Sequence, residues 1–411
     1  MRPTDRLQLR PITDDELPAY LRLLEHAFGE DVSDEDVERF RIVAEPDRFL
    51  AAVGADGTIF GTAGAYTFDV SLPGGGTAPC AGVTVVSVRA DHRRQGLLTR
   101  MMEAVLDDAS RRGEPFAALW ASESGIYGRF GFGPAIPTVR IEIPRDRSRF
   151  RAEVRADPAA VRIVDAEGAL EQLPPVYEQL RRQRPGMLSR PERWWRRWLG
   201  ADPKELRDGA GPRMHALLDG RGYAVFRLKP NWDEGITPDG TVVVEELVGL
   251  DAQAQASLWR FVIDTDLSVR TRAYGRPVDE VLPLLVAEPA YVRQSAGEPV
   301  YVRLLDLPVA LAARSYAADG RVVLGVRDAF RPDNSGGWCL EVAGGEARCT
   351  ATDEAPEIVL DTRDLATVVF GGERTTRLAA AGVVELHRPE AAAMLDRLLA
   401  TELAPWHTGM F

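Results

Sequence analysis

Hydrophobic and polar residues recur at two different spacings over about the first 140 residues. Apolar side chains three or four residues apart in 16–28, ELPAYLRLLEHAF, and in 97–112, LLTRMMEAVLDDASRR, predict two helices. Short runs rich in β-branched residues or alanine predict strands at 49–53, 58–70, 83–88 and 116–121. A strand, a helix and a strand within about forty residues predict parallel strands joined by a right-handed crossover.

A charged stretch without periodicity, 144–158, separates this region from the rest of the chain. Beyond it, strand and helix signals alternate again, and one helical run carries Trp194, Trp195 and Trp198 at a spacing typical of a packed core. From about residue 296, strand-like runs lead to alanine-rich helices, which is an α+β pattern. The pattern therefore predicts three domains, at 1–150, 151–295 and 296–411.

The charge and the cysteine content narrow the class of protein. In 411 residues, 62 Asp and Glu against 50 Lys and Arg give a net charge of −12, which repels nucleic-acid phosphates and favours cationic small molecules. The three cysteines form no C-x-x-C pair and argue against a disulfide framework, and the five histidines show no metal-ligand spacing. We therefore expect neither a nucleic-acid partner nor a metal.

The apolar runs of the sequence are short. The N-terminal stretch MRPTDRLQLRP has no apolar core of a secretory signal, and runs such as VLPLLVA fall short of the roughly 20 residues that cross a bilayer. We therefore expect a cytoplasmic protein without a membrane partner.

A predicted strand-to-helix turn at 86–98, VSVRADHRRQGLL, carries two adjacent arginines and one glycine. A helix N-terminus presents unpaired N–H groups to anions, and Gly96 allows the backbone to approach a phosphate closely. Arg93 and Arg94 add donors suited to phosphate oxygens. Neither G-x-x-x-x-G-K-[ST] nor G-x-G-x-x-G occurs here. The turn therefore indicates either solvated arginines or a diphosphate site.

A second candidate group follows the predicted strand at 116–121. The stretch 122–135, SESGIYGRFGFGPA, contains four glycines, each of which costs about 1 kcal/mol in a helix relative to alanine, so it predicts one short helical turn and a loop. Tyr127 lies in this turn, and a tyrosine hydroxyl with a pKa of about 10 can protonate a departing thiolate. The alternative is a packed tyrosine with no chemical role.

These motifs together resemble those of a known family. R-x-x-G-x-L at 93–98 is similar to the coenzyme A-binding motif of the GCN5-related N-acetyltransferases (GNAT). HRRQGLL, followed about thirty residues later by ASESGIYGRFGFGPA, resembles more narrowly the Eis (enhanced intracellular survival) acetyltransferases of actinobacteria, over nearly the whole chain. The resemblance implies an α/β and α+β fold with two GNAT-like domains, a sterol-carrier-like domain, and assembly as a homohexamer.

The same resemblance assigns roles to residues. The pantetheine arm of acetyl-CoA lies beside the strand and the diphosphate binds the following turn, through Val86, Ser87, Val88, Arg93, Arg94, Gln95, Gly96, Leu97, Leu98, Thr99, Ser122 and Glu123. Phe28 and Glu30 line the amine pocket. Tyr127 is the general acid, and the terminal carboxylate of Phe411 is the general base.

The expected reaction moves an acetyl group from acetyl-CoA to a primary amine of an aminoglycoside, another polyamine or a lysine side chain, by direct attack. Met410 replaces an acidic residue that family members place before the terminal phenylalanine, and Glu30 replaces an aspartate. This weakens the case for a polycationic acceptor. A lipid or acyl-CoA carrier that uses the sterol-carrier-like domain is the alternative.

The second GNAT-like domain lacks the arginines of the first at the corresponding place. Its equivalent stretch, 241–256, carries Glu245, Glu246 and Asp251 and no arginine. Because carboxylates repel a diphosphate, we expect no coenzyme there.

Overall fold

The structure of the chain is a computed structural model that describes residues 7–409 and 411. The chain divides into two compact units. The first comprises the chain up to Ala135, then Val300–Thr401 and Phe411, and the second comprises Ile136–Pro299 and the tail that begins at Glu402. Each unit has its own large sheet and its own hydrophobic core.

The strands are named in chain order. Over the described residues they are Gln8–Pro11 (β1), Phe49–Val53 (β2), Ile59–Ser71 (β3), Thr77–Val88 (β4), Phe116–Trp120 (β5), Gly133–Ile136 (β6), Thr138–Pro144 (β7), Arg162–Val164 (β8), Met214–Leu218 (β9), Gly222–Lys229 (β10), Trp232–Asp233 (β11), Thr237–Pro238 (β12), Gly240–Gly249 (β13), Ser268–Pro277 (β14), Arg293–Ala296 (β15), Val300–Leu304 (β16), Gly320–Arg327 (β17), Gly336–Ala343 (β18), Glu346–Ala351 (β19), Ile358–Asp361 (β20) and Glu385–Leu386 (β21).

The α-helices of the same residues are Leu17–Phe28 (α1), Asp34–Arg41 (α2), Leu97–Arg111 (α3), Ser124–Tyr127 (α4), Ala166–Arg181 (α5), Glu192–Gly200 (α6), Ala252–Ile263 (α7), Leu282–Leu285 (α8), Leu307–Ala313 (α9), Thr362–Val369 (α10), Thr375–Ala380 (α11) and Ala391–Leu399 (α12). Within the part of the chain that is described, none is long and apolar enough to cross a bilayer.

The predicted elements of the first domain are confirmed. The two predicted helices are α1 and α3, and the four predicted strands are β2 to β5. Strand β4 begins at Thr77, six residues before the predicted start at 83, because its first half, TAPCAG, has the alanine, proline and glycine that carry little strand signal. The glycine-rich stretch after β5 forms one turn of helix, α4, as predicted.

The large sheet of the first unit has the order β1-β2-β3-β4-β5-β16-β6. Helix α3 buries the apolar side of its sequence, including Met101, Met102 and Leu106, against β3 and β4. Strands β4 and β5 are parallel, which confirms the predicted crossover through α3. A second sheet, β19-β18-β17-β20-β21, belongs to the C-terminal third of the chain and gives the predicted α+β pattern with α10 to α12.

The sheet of the second unit has the order β15-β7-β14-β13-β10-β9-β8. Helix α7 packs the buried Trp259 into its core, together with Leu258 and Val262. Helix α5 packs on strands β9 and β10, and α6 packs on α5. Trp195 of α6 is buried as predicted, with its ring against Tyr223 of β10.

Two strands cross the predicted domain boundaries at 150/151 and 295/296. Strand β7 lies within 1–150 but pairs with β14 and β15 of the second unit's sheet. Strand β16 lies within 296–411 but pairs with β5 of the first unit's sheet. Hydropathy cannot foresee such an exchange, because both strands have the same alternating pattern whichever sheet accepts them.

Candidate active site

The candidate site begins where two parallel strands separate. Strands β4 and β5 pair only from Cys80 to Gly82, opposite Phe116 to Ala118, although both strands continue beyond these residues. The following part of β4 still pairs with β3 on its other edge. Its edge toward β5 therefore offers backbone N–H and C=O groups to a ligand, in the way that an extended peptide or a pantetheine arm uses a free strand edge.

A β-bulge at Val85 redirects β4 just after this separation. The pairing with β3 shifts between Thr62 and Gly64, and Val85 has a φ of 51°, a conformation that is costly for a β-branched residue. The buried Thr62 hydroxyl donates a hydrogen bond of 2.7 Å to the Val85 carbonyl and stabilises the bulge. Strain retained in this way is typical of functional sites.

A cavity of about 540 Å³ lies beside the bulged strand. Of the predicted site residues, Gln95, Glu30 and Phe411 do not line the cavity. The predicted residues that do line it are Phe28, Val86, Ser87, Val88, Arg93, Arg94, Gly96, Leu97, Leu98, Thr99, Ser122, Glu123 and Tyr127. The fold therefore brings together groups that lie up to a hundred residues apart in the sequence.

Four further lining residues were not predicted: Ala27, His92, Ile126 and Arg129. His92 and Arg129 belong to the quoted motifs HRRQGLL and ASESGIYGRFGFGPA, so their polar side chains next to Arg93 and Tyr127 were the signal that could have found them. Ala27 and Ile126 are apolar and carry no such signal.

The turn that leads into α3 has the geometry of an anion site. Arg94 and Gly96 have φ values of 60° and 85°, and no side chain caps the helix start within the described residues. The first N–H groups of a helix have no partner inside it and concentrate positive potential there. Gln95 donates from its side chain to the Asp91 carbonyl at 3.2 Å, so it braces the turn rather than lining the cavity.

The charges around the cavity favour an anion. Arg93, Arg94 and Arg129 line it with a single carboxylate, Glu123. Among the described residues, none of these three arginines forms an ion pair. His92 contacts the Asp91 carboxylate at 2.9 Å through its Nδ1 atom. Arg93 donates from Nε to the Val88 carbonyl at 3.4 Å, which leaves its terminal N–H groups, with those of Arg94 and Arg129, for a ligand with several negative oxygens.

Ser87 presents a buried hydroxyl without a partner. The residue is 6% exposed, and its Oγ atom makes no hydrogen bond to any described residue. A buried polar group in this state costs about 1–3 kcal/mol. Since Ser87 lines the cavity, a bound molecule that supplies a hydrogen bond removes this cost.

Tyr127 ends the short helix α4 and lines the same cavity. Its ring packs edge-on against Phe132, with 6.2 Å between the ring centroids. Burial, followed by the nearby Glu123 charge, raises the pKa of Tyr127 above its ordinary value. The hydroxyl therefore stays protonated at neutral pH, which suits a proton donor and not a base.

Phe411 lies where β4 and β5 begin to separate. Its ring stands edge-on to Phe68 of β3 at 5.3 Å, and its Cε2 atom is 3.1 Å from the place of a Cβ on Gly82. Gly82 is the last residue of β4 that pairs with β5. Met410, the other notable tail residue, lies outside the described residues.

The two residues predicted for the amine pocket behave differently. Phe28, at the end of α1, is 54% exposed and lines the cavity. Glu30 follows the left-handed Gly29 and is exposed, and it does not line the cavity. The structure thus brings only Phe28 to the cavity wall.

Comparisons with known proteins assign the chain to a family. The acetyltransferase (GNAT) domain matches residues 8–135 and, in a second form, 186–304, and the sterol carrier protein domain matches 307–408. An uncharacterized N-acetyltransferase of Streptomyces coelicolor is 40% identical over 90% of this chain and 91% of its own length.

Other relatives carry the name Eis. The N-acetyltransferase Eis of Mycobacterium tuberculosis is 31% identical over 95% of this chain and 96% of its own length. The crystal structure of Eis1 from Mycobacterium abscessus superposes with a TM-score of 0.86 at 30% identity, covering 98% of this chain and 100% of that one. With two GNAT domains, a sterol carrier domain and this identity over nearly its full length, the chain belongs to the Eis family of GNAT N-acetyltransferases.

Proposed function

We propose that this N-acetyltransferase moves an acetyl group from acetyl-CoA to a primary amine of a small cationic molecule, in the cavity beside the bulged end of β4. The observation that carries the proposal is the common cavity itself, which gathers a free strand edge, the start of α3, three arginines and Tyr127. A coenzyme with a peptide-like arm at one end and a diphosphate at the other matches this sequence of groups.

GNAT acetyltransferases use acetyl-CoA, and the chemistry of the cavity fits it. The negative oxygens of the diphosphate match Arg93, Arg94 and the N–H groups at the start of α3. The amide groups of the pantetheine arm match the free edge at Val86–Val88. The unpartnered Ser87 hydroxyl adds one hydrogen-bonding group on that strand.

The reaction requires one proton acceptor and one proton donor. The co-substrate supplies an activated acetyl thioester, and the amine nitrogen attacks its carbonyl carbon, so a C–N bond forms as the C–S bond breaks. We assign the proton of the attacking amine to the Phe411 carboxylate and the proton given to the departing thiolate to Tyr127. No covalent enzyme intermediate is required, because binding both substrates together already supplies much of the rate.

The proposed base demands a particular environment. An α-carboxyl in water has a pKa of about 3.3–3.7 and is a weak base at neutral pH. The contact of the Phe411 ring with Phe68 supports a docked terminus, which keeps the carboxylate near the separated strands instead of in bulk water.

The proposed class of amine acceptor is supported by the net charge of the protein and by the family resemblance. The net charge of −12 favours encounters with cations, and the exposed Phe28 ring offers a wall for a cationic or apolar part of the acceptor. We propose aminoglycosides, polyamines or lysine side chains as acceptors, and a cytoplasmic homohexamer as the active form, on the basis of the family resemblance. Among the described residues that line the cavity, Glu123 is the one acidic side chain, so side-chain charge there gives the acceptor little electrostatic discrimination.

Free-thiol release from acetyl-CoA tests this function. The assay compares kanamycin, spermidine and a lysine-containing peptide, with the intact chain and with a chain extended by one residue after Phe411. We expect turnover with at least one amine, and a drop of roughly 100-fold on extension because the terminal carboxylate is displaced. Binding of acetyl-CoA without turnover of any amine would instead favour a carrier. Equal turnover by both chains would remove the role of Phe411.

The Tyr127→Phe substitution tests the general acid. It removes only the hydroxyl, so we expect kcat to fall roughly 100-fold while acetyl-CoA affinity changes less than about twofold. Tyr301→Phe is the matched control, since Tyr301 packs against the same hydrophobic core and does not line the cavity. Steady-state kinetics from pH 6 to 9 measure both, and an unchanged kcat in Tyr127→Phe would exclude the assignment.

The Ser87→Ala substitution tests the coenzyme side. We expect acetyl-CoA affinity by calorimetric titration to fall roughly 2- to 10-fold, the value of one hydrogen bond. The Tm of the ligand-free protein should not fall, because the substitution also removes a buried hydroxyl without a partner. Ser295→Ala, at an exposed serine of the second unit, is the control. Unchanged affinity would place the pantetheine arm elsewhere.

A further inference from the structure

The second unit repeats the separated strands of the first. Strands β13 and β14 run parallel and pair from Gly240 to Val244, and both continue beyond the last pair. The pairing of β13 with β10 passes from Val244 to Glu246, which leaves a bulge at Glu245. Helix α7 then begins at Ala252. The order of strand, bulge and helix is therefore the same as in β4 and α3.

The chain's own tail occupies this second gap. A cavity of only about 100 Å³ remains there, lined by the end of β13 and by Trp406. Trp406 is 3% exposed, and its indole N–H donates to the Gly275 carbonyl at 2.6 Å. The guanidinium groups of Arg276 and Arg184 lie 4.9 and 5.6 Å from the ring. The tail thus fills most of the space beside the separated ends of β13 and β14.

The tail backbone is also tied down on both sides of Trp406. The Asp279 carboxylate accepts from the backbone N–H of Ala404 at 3.0 Å. The backbone N–H of Trp406 donates to the Pro185 carbonyl at 2.9 Å. His407 is buried and accepts from the Leu188 N–H at 3.4 Å through Nδ1. Burial, followed by the Arg190 charge, lowers the pKa of His407 to about 3, so the His407 imidazole stays uncharged across the pH range of an assay.

Arg190 holds the tail at Thr408. Its guanidinium donates to the Thr408 hydroxyl at 2.7 Å and to the Thr408 carbonyl at 3.1 Å. The same group pairs with Glu246 at 3.0 Å and lies 4.2 to 4.9 Å from an aromatic wall, formed by the rings of Tyr177, Trp195 and Trp198. The Arg190 side chain is 12% exposed and that of Glu246 is 3% exposed, so a largely desolvated charge pair holds the tail.

We propose that the second GNAT domain has exchanged coenzyme binding for docking of the C-terminal tail, and that Arg190 is a positioning residue for the Phe411 carboxylate. Thr408 stands three residues before Phe411, and three residues span at most roughly 10 Å, so whatever holds Thr408 limits where the terminal carboxylate can lie. The proposal rests on Phe411 acting as the base in the proposed function.

The test uses a mild substitution on the tail side of the anchor. Replacing Arg190 leaves the buried Glu246 charge without its partner and endangers folding. Thr408→Val removes only the hydrogen bonds of the Thr408 hydroxyl, to Arg190 and to Tyr177, and keeps the ion pair. We expect Thr408→Val to lower kcat roughly 10-fold in thiol release, with the fastest amine of the panel, because small displacements of a reacting group cost rate. The KM for acetyl-CoA should stay within about twofold of the value for the unsubstituted protein. The Tm should stay within about 2 °C of it.

The same substitution in a chain from which Phe411 has been removed separates a positioning role of Thr408 from a general loss of structure. If Thr408 acts through Phe411, Thr408→Val has no further effect in the shortened chain, whereas a merely structural role lowers both rates equally. Thr237→Val, on the exposed hairpin strand β12, controls for the loss of a hydroxyl. If shortening lowers kcat but Thr408→Val does not, the positioning role is overturned and the base assignment stands. If shortening has no effect, both fail.

Discussion

The early end of the pairing between β4 and β5 is the constraint on which the proposed chemistry depends. Parallel neighbours that stayed paired would satisfy every backbone group of Val83–Val88 and leave no edge for a ligand. The bulge at Val85, with its hydrogen bond from Thr62, keeps the strand bent away after Gly82. The start of α3 and the turn at Tyr127 then lie at the rim of the resulting cavity.

The two copies of this arrangement differ in the charged side chains that surround them. In the first unit, three arginines without ion pairs in the described residues surround the cavity, which favours an anion. In the second unit, Glu245 and Glu246 stand at the bulge, and arginines from distant parts of the chain pair with both. The prediction of no coenzyme there rested on repulsion between carboxylates and diphosphate. The proposed docking of the tail would give a second physical reason, because Trp406 lines the small cavity at the end of β13.

The sequence predicted the local part of the site well and the long-range part poorly. Two short motifs contain Arg93, Arg94, Gly96 and Tyr127, and the backbone geometry of both follows from glycine positions and strand-helix spacing. The placement of these residues in one cavity could therefore be predicted from the sequence. The exchange of β7 and β16 between sheets and the bond from Arg190 to Thr408 join residues far apart in the chain. The spacing of hydrophobic residues along the sequence gives no information about such long-range pairs. Glu30 does not line the cavity because the left-handed Gly29 ends α1 just before it, and its place in an amine pocket stays a prediction.

Hydrogen–deuterium exchange with saturating coenzyme A tests the central claim most directly, because it compares the two gaps in one molecule. The account predicts slower exchange of the amides in peptides covering 83–99, where the free edge of β4 and the start of α3 receive the ligand. It predicts no change in peptides covering 241–256, where the tail already fills the corresponding gap. Protection of the second region, or no protection at 83–99 despite binding, would contradict the account.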